Sequence, residues 1–282
     1  YALADMSADV PHYEAAIDIK RADLHALGYN KRDTISVISA AIGAQASGGS
    51  IDELIGELSV AQLRYDYPGA TLESDLVLAE IHGGEDMKYL GLQSDFFDME
   101  YKSMSGYNKI VEYLYNSLKT YVPLLYEDGD EGALATQGSK NFYNDYAVME
   151  IRAKEGINDL LAVIDPKLIV APDTKASLML SPAANSLSLN LRSEALEYGG
   201  LIMADTKVNN DNDSLALWVN SEAVYMGSRM LMPGFSAAGG ARENRITLAA
   251  GFGSPADTLS GMLGMSAKFR RDEQSRRRSI HI

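Results

Sequence analysis

Apolar residues in the first part of the chain fall at mixed three- and four-residue spacings. Ala15, Ile19, Ala22, Leu24, Ala26 and Leu27 form one such run, which stops at Gly28. This spacing places side chains along one face of a helix, and a glycine suits its C-terminal end. A second helix is expected from Asp33 to Ala46, started by Asp33 or Thr34 and ended by Ser47-Gly48-Gly49-Ser50. Ser50-Ile51-Asp52-Glu53 has the form of a capping box and predicts a third, to about Leu63. The longest stripe runs from Tyr101 to Val122, through Met104, Tyr107, Ile110, Val111, Leu114, Tyr115 and Leu118, and predicts an amphipathic helix stopped by Pro123. Asn141 to Val163 reads as one helix or as two broken near Gly156.

Beyond Pro166 the pattern turns toward strands. Lys167 to Ala171 is a short buried-strand candidate, and Leu187, Leu189 and Leu191 alternate with Ser188 and Asn190. Tyr198 to Met203, Leu215 to Val219, Ile246 to Leu248 and Met265 to Phe269 predict further strands, while Lys175 to Leu180 reads as a capped helix closed by Pro182. Asn209 to Asp213 reads as a polar turn, and Gly227 to Gly240 as a mobile or tightly turned connection anchored by Met230, Leu231, Met232 and Phe235.

Charge changes this picture in two places. Between Asp66 and Glu100 nine acids face one lysine, Lys88, which predicts an exposed loop turned to solvent or a partner. From Lys268 to Arg278 six bases outnumber Asp272 and Glu273, in a chain whose formal net charge is −14. That overall charge disfavours a whole-surface grip on nucleic acid or on an anionic membrane. With 282 residues, 46% of them hydrophobic, the chain can build a substantial core as one large domain or two ordinary ones. No apolar run reaches the roughly 20 residues that a membrane-spanning helix needs, so no membrane partner is expected. The chain begins with Tyr1, without a basic start and apolar centre; removal of a leader is the expectation beside a late start of the sequence.

Candidate chemistry is sparse. The absence of cysteine excludes disulfides, thiolate metal sites and cysteine nucleophiles. His12, His25, His82 and His281 have no ligand at helical spacing, so neither a metal nor a cofactor is expected. No Gly-x-Ser-x-Gly frame, phosphate loop or dinucleotide fingerprint occurs. Asp128-Gly129-Asp130 alone is a weak calcium signal, and among 39 acids some close carboxylate pair is expected by chance.

The ordered set Ile164-Asp165-Pro166-Lys167 to Leu180, Glu197 to Ala204, Leu215 to Glu222 with Met230-Leu231-Met232-Pro233, and Gly264 to Asp272 is similar to the major capsid proteins of tailed phages with the Hong Kong 97-like fold. It covers about 120 residues. The resemblance implies an α+β fold with a long helix, an extended loop and mixed β-sheets. It divides the chain into an N-terminal helical region (1–65), an extended acidic loop (66–100) and a mixed α/β shell-forming region (101–282). It implies a non-enzymatic subunit of a virion, assembled in the host cytoplasm as pentamers and hexamers around double-stranded DNA, with decoration or scaffolding proteins as further partners. Tyr107, Tyr115, Met230, Met232, Phe235, Arg276, Arg277 and Arg278 are then interface candidates. An encapsulin-like compartment, a tail or decoration protein and a carboxylate-dependent hydrolase are the alternative expectations.

Overall fold

A period of two, rather than 3.6, governs the folded chain. In the segment His12–Asp23, the side chains of Tyr13, Ala15, Ile17 and Ile19 leave one face of the backbone; His12, Glu14, Asp18 and Lys20 leave the other. A computed structural model describes residues 1–6, 10–84, 87–104, 106–107, 146–181, 186–211, 215–242, 244–253, 260–271 and 278–281. Among them lie seventeen strands and one helix.

Two compact units divide the chain: Tyr1–Tyr107 with Met149–Asp173, and Asn108–Val148 with Thr174–Ile282. In the first unit, β1 (Ala2–Asp5), β2 (His12–Asp23), β3 (Val37–Ser47), β4 (Ile55–Tyr67), β5 (Ala70–His82), β6 (Lys88–Gln93) and β7 (Phe97–Ser103) each pair antiparallel with the next. They are followed by β8 (Ala147–Ala153), the helix α1 (Ile157–Ile164) and β9 (Leu168–Val170). In the second unit, β10 (Lys175–Ser181), β11 (Ser186–Tyr198), β12 (Leu201–Asp211), β13 (Leu215–Met226), β14 (Arg229–Arg242), β15 (Arg245–Phe252), β16 (Gly261–Arg271) and β17 (Arg278–His281) continue in the same up-and-down manner. Two-residue turns close several hairpins. Gly199 and Gly200 both take positive φ (60° and 87°) between β11 and β12, a geometry that matches the twist of the flanking strands and that glycine adopts without strain.

The expected α+β fold is therefore corrected to an antiparallel β fold. The helices expected over 15–27, 33–46 and 50–63 are the strands β2, β3 and β4, and Lys175 to Leu180 is β10. The acidic stretch 66–100, expected as an extended loop, is mostly β5, β6 and β7; its acids alternate with apolar residues. The expected long helix begins inside β7 at Tyr101, and its remainder from 108 lies outside the described residues. Gly227 to Gly240, expected as a connection, is largely β14. Of the stretch 141–163, β8 and the eight-residue α1 are what the described residues hold. The strands expected at 167–171, 187–191, 198–203, 215–219, 246–248 and 265–269 all fall on strands.

Each strand packs chiefly on its hairpin neighbours, and α1 touches β9 and β5. Burial follows from this single-layer construction. Among the described residues, twelve hydrophobic side chains are buried, five of them alanines, whereas twenty-seven large ones are exposed.

A row of small hydroxyls creases the second unit. The Thr174 and Ser193 hydroxyl oxygens lie 2.6 Å apart, Ser193 pairs with Thr206, and the Ser221 hydroxyl donates to Ala204 O at 2.6 Å; all four residues are buried. The Ser193 hydroxyl donates to the carbonyl two residues ahead, Ala195, and the hydroxyls of Ser221 and, in the first unit, Ser74 also lie 3.0 Å and 3.4 Å from the carbonyls of Ala223 and Leu76. Asp205 beside Thr206 has φ of 41°, and Gln62, opposite Asp75, has 52°. The hydroxyls thus serve carbonyls where the regular ladder is interrupted.

Candidate functional site

The two faces of the strands differ in chemistry over a long, registered area. On one face of the first unit, cross-strand rows can be followed through six and four strands. Ala15, Ala44, Leu58, Ala79, Leu92 and Met99 form one, and Ile17, Ile42, Val60 and Val77 the next. No charged residue stands in either row. At one side they are bounded by the row Tyr13, Ala46, Gly56, Ile81, Leu90 and Tyr101; at the other, Tyr65, paired with Ile38, stacks on Tyr67 at 5.9 Å. From Gly56 to Tyr65 the strand runs for about 30 Å at roughly 3.3 Å per residue, which becomes about 23 Å normal to a plane if the strand tilts by roughly 40°.

The second unit repeats the arrangement. Leu178, Leu189, Leu217, Gly239, Leu248 and Met265 share a face with Ala176, Leu191, Val208, Val219, Ala237, Ala250 and Leu263. These rows also lack charge, yet Leu217, Leu248, Met265 and Leu263 are exposed, Leu263 by 72%.

The opposite face is polar and holds the concave features. In the first unit Glu14, Gln45, Glu57, Glu80, Gly91 and Glu100 form a row, flanked by the row His12, Ser47, Ile55, His82, Tyr89 and Lys102. A concavity of about 390 Å³ is lined by His12, Gln45, Ser47, Ile55, Glu57, Glu80 and His82, with the backbone between them. A second, of about 220 Å³, is lined by Tyr1, Glu14, Gln45, Glu57 and Ser59 among others. The Tyr1 phenol donates to Glu14, and that hydrogen bond raises its pKa. Lys102 pairs with Glu100 at 2.7 Å and lies over the Tyr89 ring, its pKa raised first by the hydrogen bond to Glu100. Leu76 and Leu78 interrupt this face as exposed apolar residues. Among the described residues no three acidic or histidine side chains converge to hold a metal ion.

On the corresponding face of the second unit stand Ser177, Asn190, Asn209 and Trp218 in one row, and Lys175, Arg192, Lys207, Asn220 and Ser236 in the next. The residues expected at an interface are dispersed. The Tyr107 hydroxyl donates to the backbone carbonyls of Tyr89 (2.8 Å) and His82 (3.3 Å), closing a loop of its own unit; burial raises its pKa. Met230 and Met232 pair with the successive residues Tyr225 and Val224 across a bulge at Leu231, so they project to opposite faces. Phe235 pairs with Ser221 at the crease. Tyr115, Arg276 and Arg277, with the side chain of Arg278, lie outside the described residues.

What the sequence reading missed is the two-faced surface itself. Its signal is present in Tyr13 to Lys20, where Tyr13, Ala15, Ile17 and Ile19 alternate with Glu14, Asp18 and Lys20 and only Ala16 breaks the pattern. The crease has a signal as well, a serine followed by an acid and an apolar residue, in Ser74-Asp75-Leu76, Ser193-Glu194-Ala195 and Ser221-Glu222-Ala223.

Comparison with known proteins finds no matching family model, curated relative or solved structure.

Proposed function

We propose that this chain is a membrane protein of the β-strand type, with its charge-free face against lipid and its polar face against water, serving as a passage for small polar solutes. The observation that carries the reading is the band of charge-free aliphatic rows, bounded in register by Tyr13 on one side and by Tyr65 and Tyr67 on the other; Tyr101, at the end of the Tyr13 row, is buried beside Tyr107. Its height of about 23 Å is close to the roughly 25 Å apolar band of strand-built membrane proteins, whose aromatic residues collect at both interfaces. Strands of 11 to 14 residues, which β3, β4, β5, β11, β12, β13 and β14 all reach, meet or exceed the roughly 9 to 11 that a tilted crossing needs. Exposed leucines and methionines on a single-layer sheet are stable where the neighbouring medium is hydrocarbon, and unfavourable in water at about 25 cal/mol per Å².

No described helix is long and apolar enough to cross a membrane, a fact that leaves strand crossings open. Hydrocarbon offers no partner for backbone groups, so strands cross it only with every edge paired, as in a closed barrel. In such a barrel the polar face would turn inward, and the passage proposed here runs along it. The shell-subunit reading rested on the ordered set from Ile164 to Asp272 and implied a long helix and an extended loop; in the described residues, strands stand where the loop was expected, and the two-faced strands support the membrane reading.

The test is reconstitution. Purified protein refolded into phosphatidylcholine vesicles is expected to float with the lipid, resist carbonate extraction and render the vesicles permeable to small sugars and ions. Protein that remains in the aqueous fraction, or that assembles into rings or shells visible by negative stain, would contradict the reading.

A further inference from the structure

Lys175, Arg192 and Lys207 stand directly opposite one another on three consecutive strands, β10, β11 and β12. All three are exposed, and none has a carboxylate within ion-pair distance among the described residues. Directly opposed like charges destabilise a strand pair, since the Cβ atoms of such pairs lie only about 5 Å apart. The chain nevertheless places three in register, although its overall charge is −14. Asn220 continues the row, and Ser177, Asn190 and Asn209 form the adjacent row on the same face, so hydrogen-bond donors surround the bases. The nearest acids along the strands, Glu194 and Asp205, sit at the crease and do not pair with them.

We infer that the Lys175–Arg192–Lys207 row is a binding step for small anionic solutes bearing a carboxylate or phosphate group, within the water-filled passage proposed above. An anion on this row neutralises the repulsion that the empty row carries. The surrounding amides and hydroxyl donate to its oxygens, while the guanidinium of Arg192 presents a fork that fits a carboxylate or phosphate. Contact of this kind, open to water, is weak and fast. It suits a solute in transit rather than a tightly held ligand.

The inference rests on the passage reading, and one experiment separates the two. The reversal potential of the reconstituted protein is measured in planar bilayers across a potassium chloride gradient, for the wild type and for the triple variant Lys175→Gln, Arg192→Gln, Lys207→Gln. Each charge should favour chloride near the row by about threefold, from Coulomb attraction across roughly 7 Å of water. Screening reduces the combined effect. The chloride-to-potassium permeability ratio is therefore expected to fall at least about threefold in the triple variant. Inorganic phosphate, expected to reduce the wild-type chloride current, should lose most of that effect. A control with the same charge change elsewhere, Lys31→Gln, Arg32→Gln, Lys167→Gln, should leave both readouts near wild type. If the triple variant does not incorporate, Arg192→Gln and Lys207→Gln separately should each give a smaller shift of the same sign. Conducting variants with unchanged selectivity and phosphate sensitivity would overturn the anion row and leave the passage standing. A wild type that does not conduct would overturn the passage itself.

Discussion

Single side chains hold the irregular points of these sheets. Asp95 shows how. It is exposed, yet its carboxylate accepts hydrogen bonds from the Ser74 hydroxyl (2.7 Å) and from the Asp75 amide (2.9 Å), tying the turn after β6 to β5. The Ser74 hydrogen bond is the main cause that holds its pKa below the ordinary carboxylate value, with the amides of Asp75 and Leu76 also contributing. Because the folded-state pKa is depressed, the stabilisation is present above the unfolded pKa of about 4 and is lost as pH falls through the folded value. Asp95→Ala is expected to lower stability by about 1 kcal/mol near neutral pH, the usual worth of such bonds. Asp95→Asn should flatten the loss of stability between about pH 4 and the acid limit. Urea unfolding followed by far-ultraviolet circular dichroism, which reads the strands of both units, measures both. An unchanged acid limb in Asp95→Asn would contradict the assignment.

At the scale of the strand, the meaning of an exposed apolar residue depends on what lies beyond it. Leu58 on β4 is 40% exposed and Glu57 beside it projects to the opposite face. In water, Leu58→Lys would be close to neutral. Against lipid it should cost roughly 2–4 kcal/mol, the price of a base near mid-bilayer on a strand. Glu57→Lys should refold and insert like the wild type. Fractional insertion into vesicles against urea concentration tests the pair, and equal behaviour of the two variants would contradict the facing. The same strand shows how far the sequence was legible. In β2, Ala15, Ile19 and Ala22 satisfy a helical spacing, while Tyr13, Ala15, Ile17 and Ile19 satisfy alternation; the two patterns share residues, and alanine, a strong helix former, tips the reading the wrong way. Strands rich in leucine or flanked by clear turns, such as β11 and β13, stood out because Ser188 and Asn190 or the polar run before Leu215 punctuate them. The acids of 66–100 suggested a loop, although Leu76 to Ile81 holds a single acid, Glu80, opposite Glu57 on the neighbouring strand. The candidate surface was illegible for a further reason: neighbours in its rows lie 7 to 29 positions apart in the sequence, joined only by register.

For the molecule as a whole, the decisive feature of the described residues is that apolar side chains line up in charge-free rows on one face of the strands. The sequence reading took 46% hydrophobic residues as material for an interior, whereas the sheets leave many of them outside. The lack of cysteine gives a direct way to ask what that outside contacts, since introduced thiols have no background. Four single variants along β4, Glu57→Cys, Leu58→Cys, Ser59→Cys and Val60→Cys, are reconstituted into vesicles and exposed to a charged, membrane-impermeant maleimide. The account predicts alternation, with positions 57 and 59 labelled from water and positions 58 and 60 protected until detergent is added. Equal labelling at all four positions, or protection at 57 and 59 with labelling at 58 and 60, would contradict it.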